Sequence, residues 1–116
     1  MKTIKISYSV INSGSVEFLE AEIPVDSIYS FSCIPRKCYK ANGGFKKWIK
    51  TYSIVTEING EKQIYNRCSK EAYDQLKVLL KDKYSKFRSV SEADKAVLRR
   101  GHVIRLAIGW EYKIKK

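Results

Sequence analysis

Apolar and polar side chains alternate with a period of two over much of this chain, and the longest such run is its last. Over His102–Ile114, H-V-I-R-L-A-I-G-W-E-Y-K-I, the even positions from Ile104 carry Ile104, Leu106, Ile108, Trp110, Tyr112 and Ile114. The odd positions carry Arg105, Ala107, Gly109, Glu111 and Lys113. This is the side-chain period of a strand with one buried and one wet face. Eleven residues from Ile104 are long for a strand, which predicts a place inside a sheet with other elements covering the even face.

The same period opens the chain, with Ile4, Ile6, Tyr8 and Val10 set against Thr3, Lys5, Ser7 and Ser9. Asn12-Ser13-Gly14-Ser15 is a turn cluster, and Val16–Ile23 reads as the returning strand of a hairpin. In that strand Val16 and Phe18 have one parity and Leu19, Ala21 and Ile23 the other, so a bulge near Phe18–Leu19 is expected. Pro24 ends it, having no N–H for a ladder. Further on, Asn59-Gly60 joins Trp48–Ile58 to Glu61–Cys68, and Asn-Gly between alternating runs is the strongest short-range hairpin signal. A type I′ turn there sets Glu57 opposite Lys62, Val55 opposite Ile64 and Ile54 opposite Tyr65.

After Ser69, a helix-capping residue, the spacing becomes helical. Ala72, Leu76, Leu79, Leu80, Tyr84 and Phe87 share a face, with Lys70, Asp74, Lys77 and Lys81 opposite, which predicts a helix over about Lys70–Phe87. Ser91-Glu92-Ala93-Asp94 resembles a capping box, opening a short helix to Arg100 that Gly101 ends. The middle of the chain, with Pro35, Asn42 and Gly43-Gly44, reads as a loop. The order β-β-β-β-α-α-β shows no βαβ alternation. It predicts a single α+β domain over residues 1–116, with an antiparallel or mixed sheet of about five strands and one longer and one short helix packed on one face.

Charge changes the picture more than composition does. Lys and Arg total 23 against 12 acids, a net charge of +11, and a domain this basic is expected to meet a polyanion. Nucleic acid is the first expectation, an anionic protein surface the second and a membrane surface the last. The plain alternative is a lysine-rich surface with no such partner. The sign is also segregated. Between Asn12 and Asp26 stand Glu17, Glu20, Glu22 and Asp26 with no Lys or Arg. Residues 27–56 contain no acid but carry Arg36, Lys37, Lys40, Lys46, Lys47 and Lys50, interleaved with Tyr29, Phe31, Tyr39, Phe45, Trp48 and Tyr52. No apolar run nears the ~20 residues of a membrane span, and the strand-like start lacks the apolar core of a signal peptide. A cytoplasmic protein is expected.

Single-stranded nucleic acid is held by cations along its phosphates and by aromatic faces under its bases. Arg36, Lys37, Lys40, Lys46, Lys47 and Lys50 supply the first need and Tyr39 and Phe45 the second, while Gly43-Gly44 lets backbone approach a phosphate. Arg99, Arg100 and Arg105 extend this expected site, since arginine suits bidentate phosphate contacts. The lysines at 77, 81, 83 and 86 with Arg88 interleave with Asp74 and Asp82 and read as a solvated face. Cys33, Cys38, Cys68 and His102 make a nominal Cys3His set for zinc, but only one short-spaced couple exists. Reduced thiols are the expected state of an odd cysteine count without secretory context. No cofactor motif, nucleophile elbow or P-loop is present, and no cofactor is expected.

Three functions follow as expectations. The first is a small basic protein that binds nucleic acid or a nucleoprotein through the segment 31–50, with little sequence preference. The second is an inhibitor of a host nucleic-acid-targeting nuclease complex, of phage or mobile-element origin. Small, lysine-rich, motif-free domains are common among such inhibitors, anti-CRISPR proteins included. The third is a toxin-type ribonuclease using Arg99, Arg100, His102, Arg105 and Glu111 with Tyr112, although Tyr112 lies on the other strand face. A long open edge strand leaves a dimer possible.

Overall fold

The computed structural model describes residues 2–89, 95, 99–101 and 109–115, with backbone alone at 37–39 and 45. Strand β1 (Thr3–Asn12) pairs with β2 (Ser15–Pro24) around Ser13 and Gly14. Their φ values of 50° and 82° are the two left-handed positions that a type I′ turn requires. No bulge occurs at Phe18–Leu19, contrary to the alternation, because the ladder runs unbroken from Thr3 opposite Pro24 to Asn12 opposite Ser15. Directly opposed residues share a face. Leu19, Ala21 and Ile23 therefore join Tyr8, Ile6 and Ile4 on the core side, and Phe18 is left outside at 83% exposure.

A 3₁₀ turn at Val25–Ser27 leads into β3 (Ile28–Tyr39), β4 (Phe45–Ile58) and β5 (Glu61–Cys68). Helix α1 (Lys70–Leu79), β6 (Tyr84–Ser89) and β7 (Gly109–Ile114) follow. Strands β3 to β7 form one antiparallel sheet in the order β5-β4-β3-β7-β6 beside the separate β1–β2 sheet. The fold is thus mostly β, with seven strands in two sheets and one α-helix among the described residues. This overturns the expected α+β fold of five strands and two helices.

Two stretches account for the difference. The helix does start at Ser69, whose side chain accepts from the Ala72 N–H at 3.4 Å, but it stops at Leu79. Asp82, at φ 69°, reverses the chain, and Tyr84–Ser89 then pair with β7. Tyr84 and Phe87 follow Leu80 at helical spacing, which is why they read as helix. Three residues apart in a strand they face opposite ways: Tyr84 packs on the core and Phe87 stays half-exposed. The second stretch is the supposed loop at 31–50, which is two paired strands with a turn only at 40–44. Pro35 lies beyond the described β3–β7 pairing, which stops at Cys33 opposite Trp110, so among the described residues its missing N–H interrupts no ladder to β7. The short helix expected from Ser91 lies mostly outside the described residues, as do residues 102–108 of the last alternating run.

The Asn59-Gly60 hairpin matches its sequence reading. Both residues have positive φ, and Glu57, Val55 and Ile54 stand opposite Lys62, Ile64 and Tyr65. The described part of the last run, β7, sits between β3 and β6 with Tyr112 buried on its even face. Helix α1 and the β1–β2 hairpin cover that side of the sheet, supplying Ala72, Tyr73 and Leu76, and Ile4, Ile6 and Ile23, to one core with Phe31 and Ile54. At its centre the Phe31 and Tyr112 rings stack at 4.8 Å, and the Tyr73 hydroxyl donates to that of Tyr112 at 3.0 Å. No helix among the described residues is long and apolar enough to cross a membrane.

Gly109 lets β7 start against β3. A Cβ there would come within 2.5 Å of the Cys33 carbonyl oxygen and 2.7 Å of the Ile34 Cα, both backbone atoms that cannot swing away. Gly109→Ala is therefore expected to cost about 1–3 kcal/mol, read as a lower urea midpoint. Gly44→Ala, whose added carbon would meet only the Asn42 side chain at 3.3 Å, is expected to stay near wild type. Equal losses in the two variants would refute the close approach.

Candidate nucleic-acid interface

Among the described residues the two longest strands outrun their neighbours. Strand β7 pairs with β3 only over Ser30–Cys33, and the β4–β5 ladder ends at Tyr52 opposite Cys68. Beyond those points, Ile34–Tyr39 and Phe45–Thr51 pair only with each other among the described residues, forming an arm. Six residues of β3, Ile34–Tyr39, reach about 20 Å at the strand rise. The tip is tied by its own backbone: Lys40 N–H donates to the Gly44 carbonyl at 2.7 Å and Gly43 N–H to that of Lys40 at 2.9 Å. Gly44 N–H donates to Asn42 Oδ1 at 3.0 Å.

Six of the nine cations expected at the site, those of the segment 31–50, fall on this arm or its tip, and no acid lies between residues 27 and 56. Arg36, Lys40, Lys46, Lys47 and Lys50 are exposed. Arg36 stands opposite Ile49 and Lys50 opposite Pro35, in successive rows that face opposite ways, so the arm is positive on both sides. Lys37 takes the row of Trp48. A register shift between Cys38 and Tyr39 leaves Lys46 as the extra residue of β4, with Tyr39 and Phe45 opposite each other next to the tip. The arm thus brings together Arg36, Lys37, Tyr39, Lys40, Phe45, Lys46, Lys47 and Lys50. Arg99 and Arg100 are exposed beside Gly101, and Arg105 lies outside the described residues.

One cation was not legible beforehand. A cavity of about 210 Å³ at the foot of the arm is lined by Arg36, Lys50, Tyr52, Cys68 and Arg67, among others. Arg67 holds a left-handed φ of 53° where β5 carries an extra residue between its pairings to Tyr52 and Ile54. Nothing in a non-glycine pair such as Asn66-Arg67 signals a bulge. The helix-side lysines are partly committed to rings instead, Lys86 lying 4.0 Å from the Trp110 centroid and Lys77 5.5 Å from that of Tyr73. Lys70 is paired with Asp74 at 2.7 Å.

The zinc and ribonuclease sets do not assemble among the described residues. Tyr52 stands between Cys33 and Cys68 in one cross-strand row, so their Cα atoms are two strand spacings apart, about 10 Å. Zinc holds two thiolates within about 4.6 Å of each other. No group of three metal-ligating side chains occurs among the described residues, and His102 lies outside them. Tyr112 is buried in the core and accepts from Tyr73, on the face opposite Glu111, so it cannot share a site with that carboxylate.

Burial governs the titration of the groups at the foot of the arm. It raises the Tyr52 hydroxyl above its usual value, with the Cys33 charge adding to it. It also pushes the Cys68 thiol from 9.0 up to about 11, outweighing an opposing backbone hydrogen bond from Ile54. Because the folded state favours the neutral thiol, Cys68 contributes stability below pH 9.0 that is lost as pH rises toward about 11. The denaturation midpoint is expected to fall across that window more steeply in wild type than in Cys68→Ala. Parallel pH profiles would show that the thiol is not held neutral by the fold.

No protein-family model, no curated protein and no solved structure matches this chain, and the arm stands on its own geometry and charge.

Proposed function

We propose that this protein binds nucleic acid through the β3–β4 arm, chiefly by contacts to phosphate. The observation that carries the reading is six cations and no acid on a paired hairpin that outruns the described strands beside it. A two-stranded ribbon has the cross-section that the major groove of a DNA duplex admits. Cations in opposite-facing rows let such a ribbon meet phosphates on both walls of a groove. Tyr39 and Phe45 beside the tip add ring faces on which an unpaired base can stack. Asn42 is the arm's one side-chain amide reader, so sequence preference is small and the backbone dominates affinity. A cytoplasmic setting suits such a partner and the free thiols of Cys33 and Cys68.

Opposite charge on β2 and the turn that follows it favours a second reading, inhibition of a nucleic-acid-targeting nuclease complex. There the arm engages the nucleic acid of the complex, and Glu17, Glu20, Glu22 and Asp26 stand in for phosphates toward the protein. Inhibition of a reconstituted nuclease complex by a variant that no longer retains free nucleic acid would separate the two.

Filter binding against single-stranded and duplex DNA and RNA across a salt series tests the first reading. Six phosphate contacts on a duplex predict a log–log salt slope of about −5. Lys46→Glu combined with Lys47→Glu is expected to weaken binding at least tenfold and to flatten the slope by about 2. Absence of retention of every form at low salt would falsify the proposal.

A further inference from the structure

Strand β2 is an unpaired edge of unusual character. It is hydrogen-bonded to β1 on one side only among the described residues. Sheet edges are normally blunted by lysine, proline or a bulge. The ten residues of β2 carry no Lys or Arg, no proline before the terminal Pro24 and no register shift. Their even face is exposed and holds Val16, Phe18, Glu20 and Glu22. Their odd face leads into the core through Leu19 and Ala21, which are only half-covered. Phe18 is the most exposed large apolar residue described, at 83%.

We infer that the β2 edge is a docking site for an extended protein segment that alternates basic and apolar residues. A strand added along this edge would satisfy its free backbone groups, the usual source of affinity in β-augmentation. Its apolar residues would continue the half-covered Leu19–Ala21 row. Its basic residues would fall beside Glu20, Glu22 and the Phe18 ring, which takes an ammonium on its face. Glu22 is already oriented, accepting from the Thr3 hydroxyl at 2.8 Å. Charge selects against the other candidate occupants. A second copy of β2 would bring a second set of Glu17, Glu20 and Glu22 to the same edge with no Lys or Arg of β2 to meet them, and like charges close across a ladder destabilise it. A nucleic acid is repelled by the same row. The end strands of the five-stranded sheet, β5 and β6, carry Lys62 and Arg67 and Lys86 and Arg88 and are less suited to a basic segment.

The probes are two labelled synthetic peptides, one alternating lysine and valine and the other alternating glutamate and valine. Fluorescence anisotropy is expected to show binding of the first and none of the second. Phe18→Ala, or Glu20→Lys with Glu22→Lys, is expected to weaken binding at least tenfold. Phe18 is exposed, so its removal leaves the fold intact, and retention of nucleic acid by the arm is expected to be unchanged in Phe18→Ala. Hydrogen exchange with bound peptide is expected to protect the β2 amides. Equal binding of both peptides, no binding, protection at β5 or β6 instead, or a dimer in sedimentation with β2 amides already protected would each overturn the assignment. Because arm binding is read separately with nucleic acid, failure here leaves the proposed function standing.

Discussion

The stack of Phe31 on Tyr112 is the contact on which the rest of the molecule hangs. It joins β3 to β7 within the sheet, and the Tyr73 and Tyr84 rings pack edge-on to both, at centroid distances of 4.8–5.9 Å across the cluster. Aromatic pairs of this kind are worth about 0.5–1.5 kcal/mol each beyond their area. Their larger effect here is topological, since one cluster ties α1, β3, β6 and β7 together. The hydroxyl bond between Tyr73 and Tyr112 keeps both polar tips satisfied in a buried site. With β3 clamped in this way and β4 paired to both β3 and β5, the arm projects from a stiff base.

The local chemistry of turns was the most legible part of the sequence. Asn59-Gly60 set a register that holds at every pair expected of it, because two left-handed residues leave the flanking strands little choice. Ser69 likewise announced the start of the helix. What failed were judgements that depend on remote partners. Tyr84 and Phe87 have helical spacing, and only pairing with a strand some twenty-five residues later makes them β. Pro35 and Gly43-Gly44 suggested a loop, yet the proline falls just beyond the described β3–β7 ladder and the glycines fall in a five-residue tip. The insertion of β7 between β3 and β6 is a non-local fact that no window of sequence contains.

The candidate site was legible as composition and not as shape. The run of cations without acids picked out residues that turn out to share one arm, since charge on a segment does not depend on how the segment folds. Its conversion from loop to ribbon alters what those charges do. A loop would gather them against one ligand surface, whereas a ladder distributes them in rows on two faces at fixed spacing. Arg67 joined them only through a backbone conformation that its own sequence does not advertise. Opposite signs are also largely kept on separate strands, the acids on β2 and the cations on the arm, with Lys5 of β1 opposite Glu22 as the exception.

The register shift near the tip separates two parts of the ladder that tolerate change differently. From Pro35 opposite Lys50 inward to Ser30 opposite Val55, the rows are continuous with those of Phe31 and Ile54 in the core. One inserted residue at the foot of the arm would exchange the two faces of everything beyond it. Beyond the shift at Cys38–Tyr39 the pairing has already absorbed an odd residue. Length can therefore drift at the tip while Phe31, Cys33, Tyr52 and Ile54 keep their partners. The shift acts as a buffer, leaving the tip free to be retuned for a new ligand without disturbing the sheet that carries it.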